Sequence, residues 1–166
     1  LGAKVKEVKS NFAGKKFLTL VNSNSRVHPL KFWYARAMNL FKPFPSLVMR
    51  ELYIDRLDAI QYFSARPDFD LNGHGWEKPV KYGGGKYDEA ARKSWRGEGD
   101  DKFAMLQQYK FSICFENCIF DGWVTEKVID SMYAGCVPVY WGPSDMDDFV
   151  PRGTYIDFRD FKNFEE

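Results

Sequence analysis

Cysteine and histidine are scarce in this sequence of 166 residues, which has three cysteines and two histidines. Three cysteines do not form a paired disulfide framework, so we expect reduced thiols and a reducing compartment. Cys114 and Cys118 have C-x3-C spacing, but no histidine lies close enough in the sequence to complete a zinc set. The sequence therefore predicts no metal site.

Neither sign of charge is in excess, since 24 Lys and Arg residues stand against 23 Asp and Glu residues. This balance argues against a protein that binds nucleic acid, which would be basic. No stretch approaches the roughly 18 apolar residues of a transmembrane helix. A basic amphipathic helix is expected over residues 30–42. It could pack against the protein or lie on a membrane surface, which leaves peripheral membrane association open.

Three common enzyme motifs are missing. No G-x-x-x-x-G-K-[ST] sequence is present, which excludes a P-loop enzyme, and no G-x-G-x-x-G follows a strand. No G-x-S-x-G sequence occurs, which argues against an α/β-hydrolase. His28 and His74 are isolated histidines, more typical of the surface than of a catalytic site. Asp68-Phe-Asp70 enters a predicted strand, so we expect it to be structural rather than metal-binding.

The sequence instead has the pattern of an ordinary α/β domain, with 45% hydrophobic residues. Residues 1–15 are polar and indicate a lead-in or linker, and glycine-rich residues 77–100 indicate a loop. Strands and helices alternate elsewhere, which predicts a mainly parallel sheet. The predicted elements are strand 16–23, helix 51–65, strand 69–73, helix 103–108, strand 110–116, helix 125–133, strand 137–141 and strand 154–158.

The apolar spacing also predicts which faces are buried. Strand 110–116 places Phe111, Ile113 and Phe115 on one face and Ser112, Cys114 and Glu116 on the other. In helix 51–65 the predicted apolar face comprises Tyr53, Leu57, Ile60 and Ser64. In helix 125–133, which Thr125 would cap and Gly135 would end, the predicted buried face comprises Val128, Ile129, Met132, Tyr133 and Cys136.

Two loops at the carboxyl ends of predicted strands could bind a ligand, because parallel sheets bind ligands at that edge. One is residues 22–26, and the other runs from Glu116 and Asn117 to the helix start at 125–127. In that first helical turn, Lys127 suits a phosphate and Glu126 could accept bonds from ribose hydroxyls. The alternative is a capped helix with two solvated charges.

Four blocks in the second half of the chain carry a specific resemblance. They are YKFSICFEN at 109–117, GWVTEK at 122–127, AGCVPVYWGP at 134–143 and FVPRG at 149–153. In this order they resemble the α-1,3-fucosyltransferases of glycosyltransferase family ten. Residues 51–56 and 68–76 resemble the bacterial and viral branch more weakly, with residues 27–50 as an insertion.

The resemblance implies a GT-B enzyme with two Rossmann-like domains, of which this chain would be the donor domain, residues 16–166. Such an enzyme would transfer fucose from GDP-fucose to an acceptor glycan with inversion, without a ligated metal or other cofactor. The acceptor site and the carboxylate that acts as general base would lie in an N-terminal domain of the same protein. We expect a cytoplasmic or membrane-associated location for a bacterial protein and the Golgi for a eukaryotic one.

The family motifs assign donor-binding roles to five positions. Glu126 would bind the ribose, Lys127 the diphosphate, and Asn117 donor hydroxyl or phosphate oxygens. Trp123 stands where the family often has Tyr, and keeps a flat face without the phenol. Arg56 best matches the family's phosphate-binding arginine.

Three alternatives stay open at this point. Arg26 and Lys31 rival Arg56, although an arginine suits bidentate phosphate binding better than Lys31 does. The enzyme could use another nucleotide-sugar. The chain could also be a non-catalytic nucleotide-binding module.

Overall fold

The computed structural model describes residues 11–24, 50–80 and 85–166. The expected helix at 30–42, the candidates Arg26 and Lys31, His28 and nearly all of the expected insertion at 27–50 lie outside these residues. The elements, in chain order, are β1 (Lys16–Val21), β2 (Arg50–Glu51), α1 (Tyr53–Phe63), β3 (Phe69–Asn72), α2 (Gly85–Ser94), α3 (Lys102–Leu106), β4 (Tyr109–Phe115), β5 (Cys118–Ile119), α4 (Glu126–Tyr133), β6 (Val137–Trp141) and β7 (Ile156–Asp157).

Five strands form one parallel sheet in the order β3-β1-β4-β6-β7. The chain moves outward from β1 in one direction to β3 and then in the other direction through β4, β6 and β7. The order therefore reverses between β1 and β4, which is the topological switch point of a doubly wound sheet. This architecture confirms the predicted α/β class with a mainly parallel sheet.

Apolar side chains on the two faces of the sheet explain how the helices pack. The predicted buried face of α1 is confirmed, because Tyr53, Leu57, Ile60 and Ser64 are all buried. Ile113 and Phe115 of β4 join this apolar cluster, whereas Cys114 joins a second cluster with Val128 on the opposite face. The alternation predicted for β4 is therefore confirmed, and α1 and α4 lie on opposite sides of the sheet.

Two expectations about the helices are wrong. Residues 77–100 contain the ten-residue helix α2, which buries Tyr87, Ala90, Ala91 and Ser94 against α1 and β3. The second expectation, on α4, is wrong only in part: Val128 and Cys136 are buried and Met132 packs against the second cluster, but Ile129 and Tyr133 are about half exposed. Ser131 takes the inner position instead, because its hydroxyl lies 3.2 Å from the Cys114 sulfur and a small side chain lets the helix approach the sheet.

Across the residues that the structure describes, we find no helix with both the length and the apolar character needed to span a bilayer.

Candidate functional site

Polar side chains gather where β1 and β4 end, at the switch point of the sheet. Asn22 directly follows β1, and Glu116 and Asn117 directly follow β4. A short antiparallel pairing of β2 with β5 brings the start of α1 to the same place, and the Leu52 N–H donates to the Asn117 carbonyl at 3.0 Å. The loops after two neighbouring strands and the first turn of α1 therefore meet at one edge.

Arg56 spans this switch point. Its Nη1 donates to Asn22 Oδ1 at 3.1 Å and to Asn117 Oδ1 at 2.9 Å, and its guanidinium lies 5.5 Å from the Tyr53 ring centroid. Arg56 is only 6% exposed, and burial lowers its pKa. Its Nε is buried without a hydrogen-bond partner among the described residues. A buried guanidinium that retains an unused donor is suited to an anionic ligand.

A fully buried carboxylate, Glu116, organises the start of α4. Its Oε1 accepts the Thr125 N–H at 2.9 Å, and its Oε2 accepts Lys127 Nζ at 2.9 Å and the Thr125 hydroxyl at 2.7 Å. Lys127 Nζ also donates to Thr125 Oγ1 at 2.8 Å, and the Lys127 side chain is 17% exposed. The alternative of two solvated charges is thus wrong for Lys127, which is largely buried and paired.

Thr125 occupies the predicted N-cap position, but its hydroxyl makes no capping hydrogen bond to the helix. The hydroxyl is engaged by the Glu116 carboxylate, which also accepts the Thr125 N–H. A carboxylate placed there stabilises the positive end of the α4 dipole. Gly135 ends the helix as predicted, with a φ of 67°.

Tyr140 of β6 and Gly142 pack closely against this cluster. The Tyr140 hydroxyl is buried without a hydrogen-bond partner among the described residues, and burial raises its pKa. A Cβ at Gly142 would lie 2.2 Å from this hydroxyl oxygen and 3.0 Å from Glu116 Cγ. Glycine is therefore required at 142 for the backbone to pass beside Glu116.

The remaining predicted site residues are more exposed. Trp123 is 47% exposed in the turn before α4, and its backbone N–H donates to the Phe120 carbonyl at 2.9 Å. The Glu126 side chain is 66% exposed and lies 3.6 Å from Lys102 Nζ of α3. The structure therefore brings Arg56 into contact with Asn117, and the adjacent Glu116 into contact with Lys127, whereas Trp123 and Glu126 are more exposed.

Sequence reasoning missed the central position of Glu116. The sequence places Glu116 on one face of the strand and at the start of the second ligand loop but gives it no role, because spacing alone does not assign a partner to a strand carboxylate. The available signal was an acidic residue at a strand end followed by a lysine in the first turn of the next helix. Among the described residues, no group of three or more His, Cys, Asp or Glu side chains could hold a metal ion.

Doubly wound sheets bind their ligands, nucleotides among them, in the crevice at the switch point. The sequence model for the C-terminal domain of glycosyltransferase family 10 (fucosyltransferase) matches residues 56–166. The chain belongs to this family. This confirms the resemblance carried by the four sequence blocks.

Individual relatives agree with this assignment. An alpha-(1,3)-fucosyltransferase of Helicobacter pylori is 33% identical over 144 residues, which are 86% of this chain and 25% of the relative. An alpha-(1,4)-fucosyltransferase of Arabidopsis thaliana is 36% identical over 67 residues, 40% of this chain and 17% of the relative. A crystal structure of an alpha1,3-fucosyltransferase with GDP-fucose superposes with a TM-score of 0.55 at 25% identity, covering 95% of this chain and 34% of that one. The chain thus spans about a third or less of the length of these proteins.

Proposed function

We propose that this chain is the donor-binding part of an inverting fucosyltransferase, which moves fucose from GDP-fucose to a hydroxyl of an acceptor glycan. The observation that carries the proposal is Arg56, buried across the switch point with an unused donor. The α-1,3 linkage is favoured because the relative that aligns with 86% of this chain has that name.

The five predicted residues take complementary roles in this proposal. Arg56 and Lys127 would bind the diphosphate and stabilise the charge that develops on the departing GDP. Asn117, whose Oδ1 holds Arg56 at 2.9 Å, would orient the arginine and present its amide to donor oxygens. The exposed Glu126 carboxylate would accept hydrogen bonds from ribose hydroxyls, and Trp123 would offer a flat face beside the donor.

The acceptor site and the general base would belong to an N-terminal domain of the same protein. Inverting transfer needs a carboxylate that takes the proton of the acceptor hydroxyl while the hydroxyl attacks the anomeric carbon. We therefore expect this chain alone to bind GDP but to transfer fucose at least 10²-fold more slowly than the chain joined to that domain, because a positioned base is typically worth 10²–10⁴-fold. Comparable turnover by both would place the base within this chain.

Calorimetric titration with GDP, GDP-fucose and UDP tests the proposal directly. Selective binding of GDP and GDP-fucose is the expected result. Preference for UDP would favour a transferase that uses another nucleotide-sugar, and no nucleotide binding would favour a non-catalytic module that only scaffolds a partner.

Lys127→Ala provides the matched test of the diphosphate assignment. Loss of one charge-assisted hydrogen bond, worth about 1.5–3 kcal/mol, should weaken GDP binding about 10- to 150-fold. Lys93→Ala, in the last turn of α2, is the control because it removes an exposed lysine away from the switch point. Equal GDP affinity in the wild type and Lys127→Ala would remove Lys127 from the donor site.

A further inference from the structure

We propose that Glu116 is a positioning residue for phosphate recognition, holding the Lys127 ammonium in the orientation that receives the donor diphosphate. This inference rests on the proposed donor site. Glu116 itself would not touch the ligand, because its carboxylate is fully buried behind Thr125 and Lys127.

The hydrogen-bond count at Lys127 supports this role. A lysine ammonium has three N–H donors and no acceptor. One donor goes to Glu116 Oε2 at 2.9 Å and a second to Thr125 Oγ1 at 2.8 Å. Within the described residues this leaves one donor, on a side chain that is 17% exposed, so one N–H remains for a ligand. The two fixed hydrogen bonds define the direction in which the third N–H points. A flexible lysine without such bonds has no defined donor direction.

Thr125 completes the arrangement because it is held at two points by the same carboxylate. Its N–H and its hydroxyl both lie within 3.0 Å of Glu116 oxygens. The hydroxyl can give its proton to the carboxylate while its lone pair accepts from Lys127. The network therefore couples the first turn of α4 to the end of β4, next to Asn117 and its Arg56 contact.

A purely structural role of Glu116 and a positioning role predict different effects on two ligands, GDP and guanosine. If Glu116 only stabilises the fold, Glu116→Gln should weaken GDP and guanosine to the same extent. If Glu116 positions Lys127, the variant should weaken GDP about tenfold and leave guanosine within twofold, because guanosine lacks the diphosphate. GDP is measured by calorimetry and guanosine by ligand-observed NMR.

A second measurement uses no ligand, so it distinguishes failure of this inference from failure of the donor-site proposal. Lys127 acetylation by acetic anhydride, followed by mass spectrometry, should be several-fold faster in Glu116→Gln, because the amine loses its carboxylate partner. Unchanged acetylation would show that Glu116 does not hold Lys127. Faster acetylation in a protein that binds no GDP would keep Glu116 as the holder of Lys127 and overturn both the phosphate role and the donor site.

Controls and a second variant keep the test decisive. Asp70→Asn removes another buried, ion-paired carboxylate in the same sheet and should leave GDP affinity within twofold. Thr125→Val should weaken GDP while Thr125→Ser, which keeps the hydroxyl, recovers most of the affinity, so a poorly folding Glu116→Gln does not stop the test. In a Lys127→Ala background, Glu116→Gln should add less than a further twofold loss. A full additional tenfold loss there, or equal weakening of both ligands, would overturn the proposal.

Discussion

An ion-paired carboxylate lies at the amino ends of the strands and another at the carboxyl ends, but the charges around them are arranged differently. Near the amino ends of β1 and β4, Asp70 accepts from Lys16 Nζ at 3.0 Å, from the Tyr109 hydroxyl at 2.9 Å and from Arg96 Nε at 2.7 Å. Its two cations are well solvated, with side chains 54% and 46% exposed.

At the carboxyl ends, the cations are buried instead. Lys127 is 17% exposed beside the fully buried Glu116, and Arg56 is 6% exposed with its Nε unpaired. Burying cations is costly unless every donor is satisfied, so a protein gains little stability from such an arrangement. The amino-end network is therefore structural, whereas the carboxyl-end cluster keeps donors without a partner among the described residues, as the proposed donor site requires.

The sharpest test of this difference is Arg56→Ala. Loss of the buried guanidinium should weaken GDP binding about 100-fold, equivalent to about 2.7 kcal/mol, because more than one charge-assisted bond is removed. The measurement is calorimetric titration of GDP, with thermal unfolding recorded for each variant to verify folding.

Two matched variants accompany this prediction. Arg56→Lys keeps the charge but not the planar fork, and should recover only part of the affinity. Arg66→Ala removes an exposed arginine of the segment after α1 and should bind GDP like the wild type. If Arg56→Ala binds GDP with wild-type affinity, the buried arginine is structural. The amino-end and carboxyl-end networks would then not differ in function.

The sheet and the predicted strands could be read from the sequence because their signals are local. Alternation in β4 and the i, i+4, i+7 spacing in α1 each fix a buried face. Helix α2 was missed because glycines at 83–85, 97 and 99 suggested a loop, although Tyr87, Ala90 and Ala91 have helical spacing.

The site was predictable only in part, for a physical reason. The motifs placed Asn117 and Lys127 at the correct edge, because strand ends and helix starts are visible in sequence. The contact of Arg56 with Asn22 and Asn117 joins residues 34 and 61 positions apart, and no local pattern encodes it. The contacts of Glu116 span only 9 and 11 positions, and the acidic residue followed by a lysine was visible, but spacing alone does not show that the two side chains meet.

Gly142→Ala should disturb the carboxyl-end cluster through packing rather than charge. The new methyl would overlap the Tyr140 hydroxyl, and Tyr140 is fully buried and cannot move aside. Overpacking of this kind costs about 2 kcal/mol, which lowers Tm by about 4–8 °C in a domain of this size. The measurement is thermal unfolding followed by circular dichroism.

Two further variants separate the clash from a general effect of alanine. Gly85→Ala is the control, since no atom of the described residues lies within 4 Å of its added Cβ. Combining Gly142→Ala with Tyr140→Leu removes both atoms that the added Cβ would meet most closely, the hydroxyl oxygen and the ring Cζ. The loss of Tm in the double variant should then be smaller than the sum of the two single losses, whereas additive losses would show that contact with Tyr140 is not the cause.

The smallest expected effect is at the amino-end network, and it depends on pH. Burial alone would raise the pKa of Asp70, but hydrogen bonds from Lys16 and Tyr109 and the nearby charges of Lys16 and Arg96 lower it below its ordinary value of 3.8. A carboxyl whose pKa is lower in the folded state stabilises the fold above its unfolded pKa, and this contribution is lost as pH falls through the folded value. Asp70→Asn should therefore cost about 1–2 kcal/mol at pH 7, a decrease of about 3–6 °C in Tm.

The difference in Tm between the wild type and Asp70→Asn should be constant from pH 7 to pH 5 and shrink progressively below pH 4, as the wild-type carboxyl takes up its proton. Scanning calorimetry at pH 7, 5, 3 and 2.5 measures it, and subtracting the variant removes the contribution of other carboxyls. Asp68→Asn is the control, because the Asp68 side chain is 39% exposed in an ion pair worth little. A difference in Tm that stayed constant down to pH 2.5 would mean that the Asp70 charge does not stabilise the amino-end network. The decrease in Tm caused by Asp70→Asn would then reflect packing alone.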